Sequence, residues 1–268
     1  MMLGGRSIVV TGASRGLGEE MAVGFARHGA RLTLAARTVD DLERVAERCR
    51  EAGAGSVRVV PTDICDEAQV HNLVDRALEH QGRIDTFVAN AGTSYSNLTD
   101  KRYRELFTYD LDIVEQIFRV NAIGSWLCLK AALPKMQPGS SFIFVGSETA
   151  RIAYPGAGVY ALAKGTIDVM TSIASKEVAE QGIRVNCLSP GGMVDTHLFG
   201  PNKMPDFLKQ HGYLEPDVMI DAAVWLASED SIDINGCFVV AKDFNERGPE
   251  AIKAELMAKT VKAGARAH

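Results

Sequence analysis

The sequence predicts a single doubly wound α/β domain, a seven-stranded parallel sheet with helices on both faces. Three observations carry this. Short β-branched or apolar runs alternate almost without exception with longer amphipathic segments, and that alternation needs crossover helices between parallel strands. The runs are continuously apolar, so both faces of the sheet are covered. No Pro/Gly/Ser-rich or charge-block linker divides the 268 residues, and single α/β domains commonly reach this size.

The expected strands are Ser7–Thr11, Arg31–Ala36, Ser56–Thr62, Thr86–Asn90, Ser141–Ser147, Arg184–Ser189 and Cys237–Val240. Between them, apolar residues at i, i+3 and i+4 predict helices over Gly16–His28, Val39–Ala52, Asp66–Gln81, Leu111–Met136, Val159–Gln181 and Pro216–Ser228. Thr93–Asp110 is polar and aromatic, and Gly191–Leu214 lacks periodicity. Both follow strands, which places them on the carboxyl edge of the sheet, where ligands bind in such folds. The expected catalytic domain is 1–244, with a substrate loop at 191–214. A helical tail at 245–268 carries a helix over Pro249–Ala263, expected to cover the substrate loop or to contact a neighbouring subunit.

Hydrophobic residues make up 46% and charged residues 24%, with a net charge of -5. No global positive field exists to gather nucleic acid or anionic lipid, so neither is an expected partner. Five scattered cysteines with no C-x-x-C or Cys/His spacing argue against a disulfide framework or a metal site. Met1–Arg6 runs into the first strand without an apolar signal region, and no apolar run nears the roughly 18 residues of a membrane span. A reduced, cytoplasmic protein is expected.

Gly12-Ala13-Ser14-Arg15-Gly16-Leu17-Gly18 joins the first strand to the first helix. Glycines allow a sharp turn and close approach to a pyrophosphate, which the helix amino terminus attracts. The second strand ends at Ala36-Arg37-Thr38, where an NAD site would carry a carboxylate for the ribose hydroxyls. Arg37 there, with Arg15 opposite, suits a 2′-phosphate, so NADP(H) is expected over NAD(H).

Tyr160 and Lys164 are four apart at the start of a helix and share one face. A phenol is a poor acid or base near neutrality unless a cation stabilises its phenolate, and Lys164 is spaced to do so. Ser147 closes the fifth strand, suited to bind a substrate oxygen, while Asn121 is suited to hold a water or backbone group that supports Lys164.

With Asn90-Ala91-Gly92 and Ser189-Pro190-Gly191-Gly192 in their proper order, these pieces resemble the short-chain dehydrogenase/reductase family over roughly Ser7 to Ala241. The resemblance implies a Rossmann-type fold and hydride transfer between a nicotinamide and a ketone or secondary alcohol. It also implies Tyr160 as general acid/base, Lys164 on the nicotinamide ribose, Ser147 on the substrate oxygen and Asn121 in a proton relay. By the same likeness Asp63 and Ile64 meet the adenine, Asn90, Ala91 and Gly92 line the adenosine side, and Pro190, Gly191 and Thr196 hold the nicotinamide end. Candidate substrate residues beside these motifs are Thr93, Ser94, Tyr95, Glu148, Tyr154, Met193, Leu198 and Phe199. The family's usual assembly implies a homodimer or homotetramer.

Two departures stand out. The stretch between Gly92 and Asn121 is longer than usual by about half a dozen residues, and Ile234–Phe244 replaces the usual glycine-rich end. A dinucleotide-binding regulator or scaffold without turnover is the alternative reading, since fold alone does not fix function.

Overall fold

The computed structural model describes residues 1–99, 105–152, 157–196, 198 and 212–262. Strands β1 (Ser7–Thr11), β2 (Arg31–Ala36), β3 (Ser56–Pro61), β4 (Thr86–Ala89), β5 (Ser141–Val145), β6 (Arg184–Ser189) and β7 (Phe238–Val240) form one parallel sheet in the order β3-β2-β1-β4-β5-β6-β7. The order reverses between β1 and β4, which opens a crevice beyond their carboxyl ends.

Side chains alternate between two buried layers. On one face Val10, Leu32, Leu34, Val88 and Ile143 meet α1 (Gly16–Arg27), α2 (Val39–Glu51) and α8 (Ile220–Ala227). On the other, Val9, Phe87, Phe142, Phe144 and Val185 meet α3 (Glu67–Gln81), α5 (Ser125–Ala132) and α7 (Gly158–Glu177). The Phe87 and Phe142 rings stack at 5.2 Å, so the strand centre is filled by large side chains that leave little freedom of register.

Several boundaries differ from the sequence expectation. Asp66 caps α3 rather than joining it, accepting from the Ala68 and Gln69 backbone N–H groups. The long helix expected over Leu111–Met136 is interrupted: α4 (Leu111–Phe118) leads into a π-turn at Arg119–Gly124 before α5. The Asn121 side-chain amide donates to the Ile117 carbonyl at 3.0 Å, the acceptor its own backbone N–H would take in a regular helix. β5 ends at Val145, and a short α6 (Thr149–Ile152) follows the Ser147 turn.

The tail corrects an expectation. β7 runs directly into α9 (Ala241–Arg247) and then α10 (Pro249–Met257). Ile252 and Leu256 of α10 are buried in the same layer as Trp225 and Phe244, whose rings lie 5.2 Å apart. Val261 then donates its backbone N–H to the Asn235 carbonyl at 2.9 Å. The tail therefore docks on its own domain through residue 262, because Ile252 and Leu256 fall one turn apart and find a hydrophobic slot beside α8.

Candidate active site

A cleft of about 930 Å³ opens at the carboxyl edge of the sheet. Its cofactor end is built on the turn after β1. Gly12 sits at φ +65°, and a Cβ there would lie 2.8 Å from the Ala91 Cα. A Cβ on Gly18 would lie 2.3 Å from the Gly12 carbonyl oxygen. Only glycine permits this turn to close against the segment after β4. Asn90 staples the two together: its side-chain amide donates to the Thr11 and Gly12 carbonyls at 2.9 and 3.2 Å, and its backbone N–H donates to Thr11 Oγ1 at 3.1 Å.

The first turn of α1 has no side-chain cap at Arg15. Its first N–H groups follow directly on the glycine turn, the donor set that suits a pyrophosphate. Ser14, Arg15, Gly16, Leu17, Arg37, Thr38, Asp63, Ile64, Asn90, Ala91, Gly92, Pro190 and Thr196 all line this cleft with Gly12. A nicotinamide dinucleotide fits the residues present.

Ser147, Tyr160 and Lys164 line the same cleft. Lys164 is buried, its Nζ 5.9 Å from the centre of the Tyr160 ring and donating to the Val145 carbonyl at 2.9 Å. Burial pushes its ammonium down to about 8. Ser147 Oγ is held by a 2.9 Å hydrogen bond with Thr149 Oγ1.

Four expected site residues lie outside the cleft lining. Gly18 and Gly191 act by close packing instead; a Cβ on Gly191 would meet Lys242 and Val240 side chains at 2.7 Å. Glu148 is not among the lining residues, and one of its carboxylate oxygens is buried. Asn121 is fully buried and its side chain clamps Thr93, accepting from the Thr93 N–H at 3.2 Å and donating to its carbonyl at 2.8 Å. A Cβ on Gly92 would lie 2.8 Å from Asn121 Oδ1, so the clamp requires a bare backbone there. Tyr154 and Phe199 lie outside the described residues.

Of the other candidates, Thr93, Ser94, Tyr95, Met193 and Leu198 do line the cleft, joined by the unforeseen Asp41, Gln116, Arg119, Thr149 and Ala157. Ala157 could have been found from its place one turn before Tyr160; Arg119 opens the widened turn that holds Asn121, and Gln116 lies just ahead of it at the end of α4.

Residues 6–204 match the sequence profile of the short chain dehydrogenases. The chain belongs to that family. It is an oxidoreductase of the short-chain dehydrogenase type with the Rossmann-like fold expected of it. An uncharacterized NAD-dependent oxidoreductase of Mycobacterium tuberculosis is 32% identical, over 87% of this chain and 93% of its own length. The oxidoreductase UcpA of Salmonella typhimurium is 37% identical over 70% of each chain. Among solved structures, a short-chain dehydrogenase/reductase from Serratia marcescens superposes with a TM-score of 0.79 at 27% identity, covering 90% of this chain and 97% of that one. A 3-ketoacyl-(acyl-carrier-protein) reductase from Brucella melitensis, complexed with NADH, gives 0.77 at 27% identity over 88% and 96%. No helix among the described residues of this short-chain dehydrogenase is long and apolar enough to cross a membrane.

Proposed function

We propose that this protein is an NADP(H)-dependent oxidoreductase that interconverts a ketone or aldehyde and an alcohol, with Tyr160 as the general acid/base. The observation that carries the reading is that Ser147, Tyr160 and Lys164 share one cleft with the glycine turn. The bound nicotinamide would supply or accept the hydride at its C4. In the reducing direction Ser147 Oγ donates a hydrogen bond to the carbonyl oxygen, and Tyr160 gives that oxygen its proton as the carbon gains hydride. The C–O π bond breaks, C–H and O–H bonds form, and Tyr160 is left as phenolate beside the Lys164 ammonium. Lys164 is also within the cleft to receive the nicotinamide ribose hydroxyls.

The preference for NADP(H) is supported by Arg15 and Arg37, which line the adenosine end where Ala36 leaves no carboxylate at the close of β2. Asp41 lines the same end and opposes a phosphate, so Arg37 must outweigh it. Arg37→Ala should weaken NADPH binding about tenfold, the worth of one charge-assisted contact, and leave NADH nearly unchanged. Titration of nicotinamide fluorescence checks this, and equal affinity of the unaltered protein for both cofactors would reverse the assignment.

Turnover is tested by mixing the protein, NADPH and a panel of activated ketones and following nicotinamide absorbance. Tyr160→Phe should bind cofactor normally and lose turnover by about 10²–10⁴-fold, since the ring keeps its packing while the proton donor is gone. A variant that retains a tenth of the rate would end the assignment.

A homodimer or homotetramer is part of the proposal. Leu162, Val169 and Ile173 are 50%, 58% and 52% exposed along one stripe of α7, and Trp126 of α5 is 46% exposed. Such a stripe suits a second copy of the chain, and light scattering gives the mass that decides it. The five cysteines are unpaired thiols, which is in keeping with a reducing cytoplasm.

A further inference from the structure

We propose that Ser94 and Asn97 are positioning residues that lock the segment after β6 across the cleft by holding the Leu198 carbonyl. The proposal rests on the oxidoreductase reading for its kinetic consequence, but not for the lock itself. The segment leaves β6 at Pro190, whose carbonyl accepts from the Lys242 N–H at 3.1 Å. It pairs with the chain further on, where Leu214 donates to Met193 at 2.8 Å and Asp195 donates to Leu214 at 3.0 Å. Thr196 then reaches the glycine turn: its Cγ2 lies 3.4 Å from where a Cβ on Gly16 would stand.

Two residues further, the Leu198 carbonyl accepts from both Ser94 Oγ and Asn97 Nδ2, the latter at 3.1 Å. The segment thus touches the phosphate-binding turn at Thr196 and the turn after β4 at Leu198. Two donors from one turn converge on a single oxygen.

The donors are themselves braced. Thr93, just before them, is clamped on both backbone groups by Asn121. Ser94 is 8% exposed, and Asn97 closes a tight turn in which its N–H donates to the Ser94 carbonyl at 3.1 Å. Tyr95 in that turn meets Tyr109 edge to face at 6.0 Å. Tyr109 lies over the start of α7, where a Cβ on Gly158 would stand 2.1 Å from its hydroxyl. The turn at Ser94–Asn97 therefore connects, through Tyr95 and Tyr109, the wall at Leu198 to the helix that carries Tyr160. Removing the two donors should loosen the wall without disturbing Tyr160, Lys164 or Ser147.

The test pairs Ser94→Ala with Asn97→Asp, a nearly isosteric change that leaves no donor for the carbonyl. Amide hydrogen exchange at Asp195 and Leu198, read without any cofactor, should quicken about tenfold, the worth of two modest hydrogen bonds. KM for whichever ketone the unaltered protein reduces should rise about tenfold, with kcat changed less than about twofold. Unchanged exchange, unchanged KM, or a fall in kcat at constant KM each overturns the proposal. If the unaltered protein reduces no ketone, the oxidoreductase reading fails, while hydrogen exchange still decides the lock. Should the double variant not fold, Asn97→Asp alone, at an exposed position, carries the same measurements with about a threefold effect.

Discussion

Arg184 at the start of β6 and Lys164 on α7 are 3% and 4% exposed, cations at opposite edges of one sheet. Burial pulls both down, Arg184 to about 10 and Lys164 to about 8. Their surroundings differ. The two terminal nitrogens of Arg184 donate to the Ser231 carbonyl and hydroxyl and to the Leu226 and Ser228 carbonyls, at 2.9 to 3.3 Å. Among the described residues Lys164 Nζ donates to one acceptor, the Val145 carbonyl. Four acceptors meet the terminal nitrogens of this guanidinium and tie β6 to the end of α8 and the loop after it, while its Nε is buried without a partner among the described residues. An ammonium with unused donors, facing a cleft beside a phenol, is held ready for something that arrives later. The many bonds at the amino edge serve the fold; the single bond at the carboxyl edge leaves donors for chemistry.

The sharpest way to break this contrast is at Arg184. Arg184→Met should destabilise the protein by about 3–5 kcal/mol, because three carbonyls lose their buried donor. That corresponds to a fall in melting temperature of about 10 °C in a chain of this size. A drop smaller than that of a surface arginine variant would show that the network contributes nothing. Arg184→Lys should cost less, about 2 kcal/mol, since an ammonium keeps the charge but cannot span acceptors arranged for a planar fork. Equal losses for Met and Lys would show that charge rather than geometry matters there. Neither variant should alter the KM of the folded enzyme, since Arg184 lies outside the cleft lining.

This contrast was only half legible in the sequence. Tyr160 and Lys164 could be read from their spacing, because they sit within one turn of chain, and the glycine turn from its place between β1 and α1, although the packing that demands its glycines comes from Asn90 and Ala91 far along the chain. Arg184 reads only as the first residue of a strand, since its acceptors lie about 42 to 47 residues away. The break in the long helix at Asn121 was equally hidden, for the apolar period continues through a π-turn that one side-chain hydrogen bond stabilises. The segment 94–110 has no period at all. Its Tyr95, Leu98 and Tyr109 nevertheless pack on Ile113, Ile117, Val159 and Ala163 as a small separate core. That core depends on α7 arriving from 50 residues further on, which no local pattern announces. α9 was missed because the strand signal of Phe238–Val240 leads straight into it without a turn residue.

Lys164→Met, melted without cofactor across pH 7 to 10.5, tests the central claim most directly. A buried lysine whose proton is released near pH 8 when folded, and near 10.5 when unfolded, weakens the fold by its full amount below pH 8. Between those values the unfolded chain binds more protons, so the cost is relieved as pH rises. The variant carries no such cost. It should melt above the unaltered protein at pH 7, with the gap narrowing through pH 8 and closing towards 10.5. A variant that melts lower at pH 7, or a gap that does not change with pH, would contradict the account of Lys164 as a charge kept buried for chemistry.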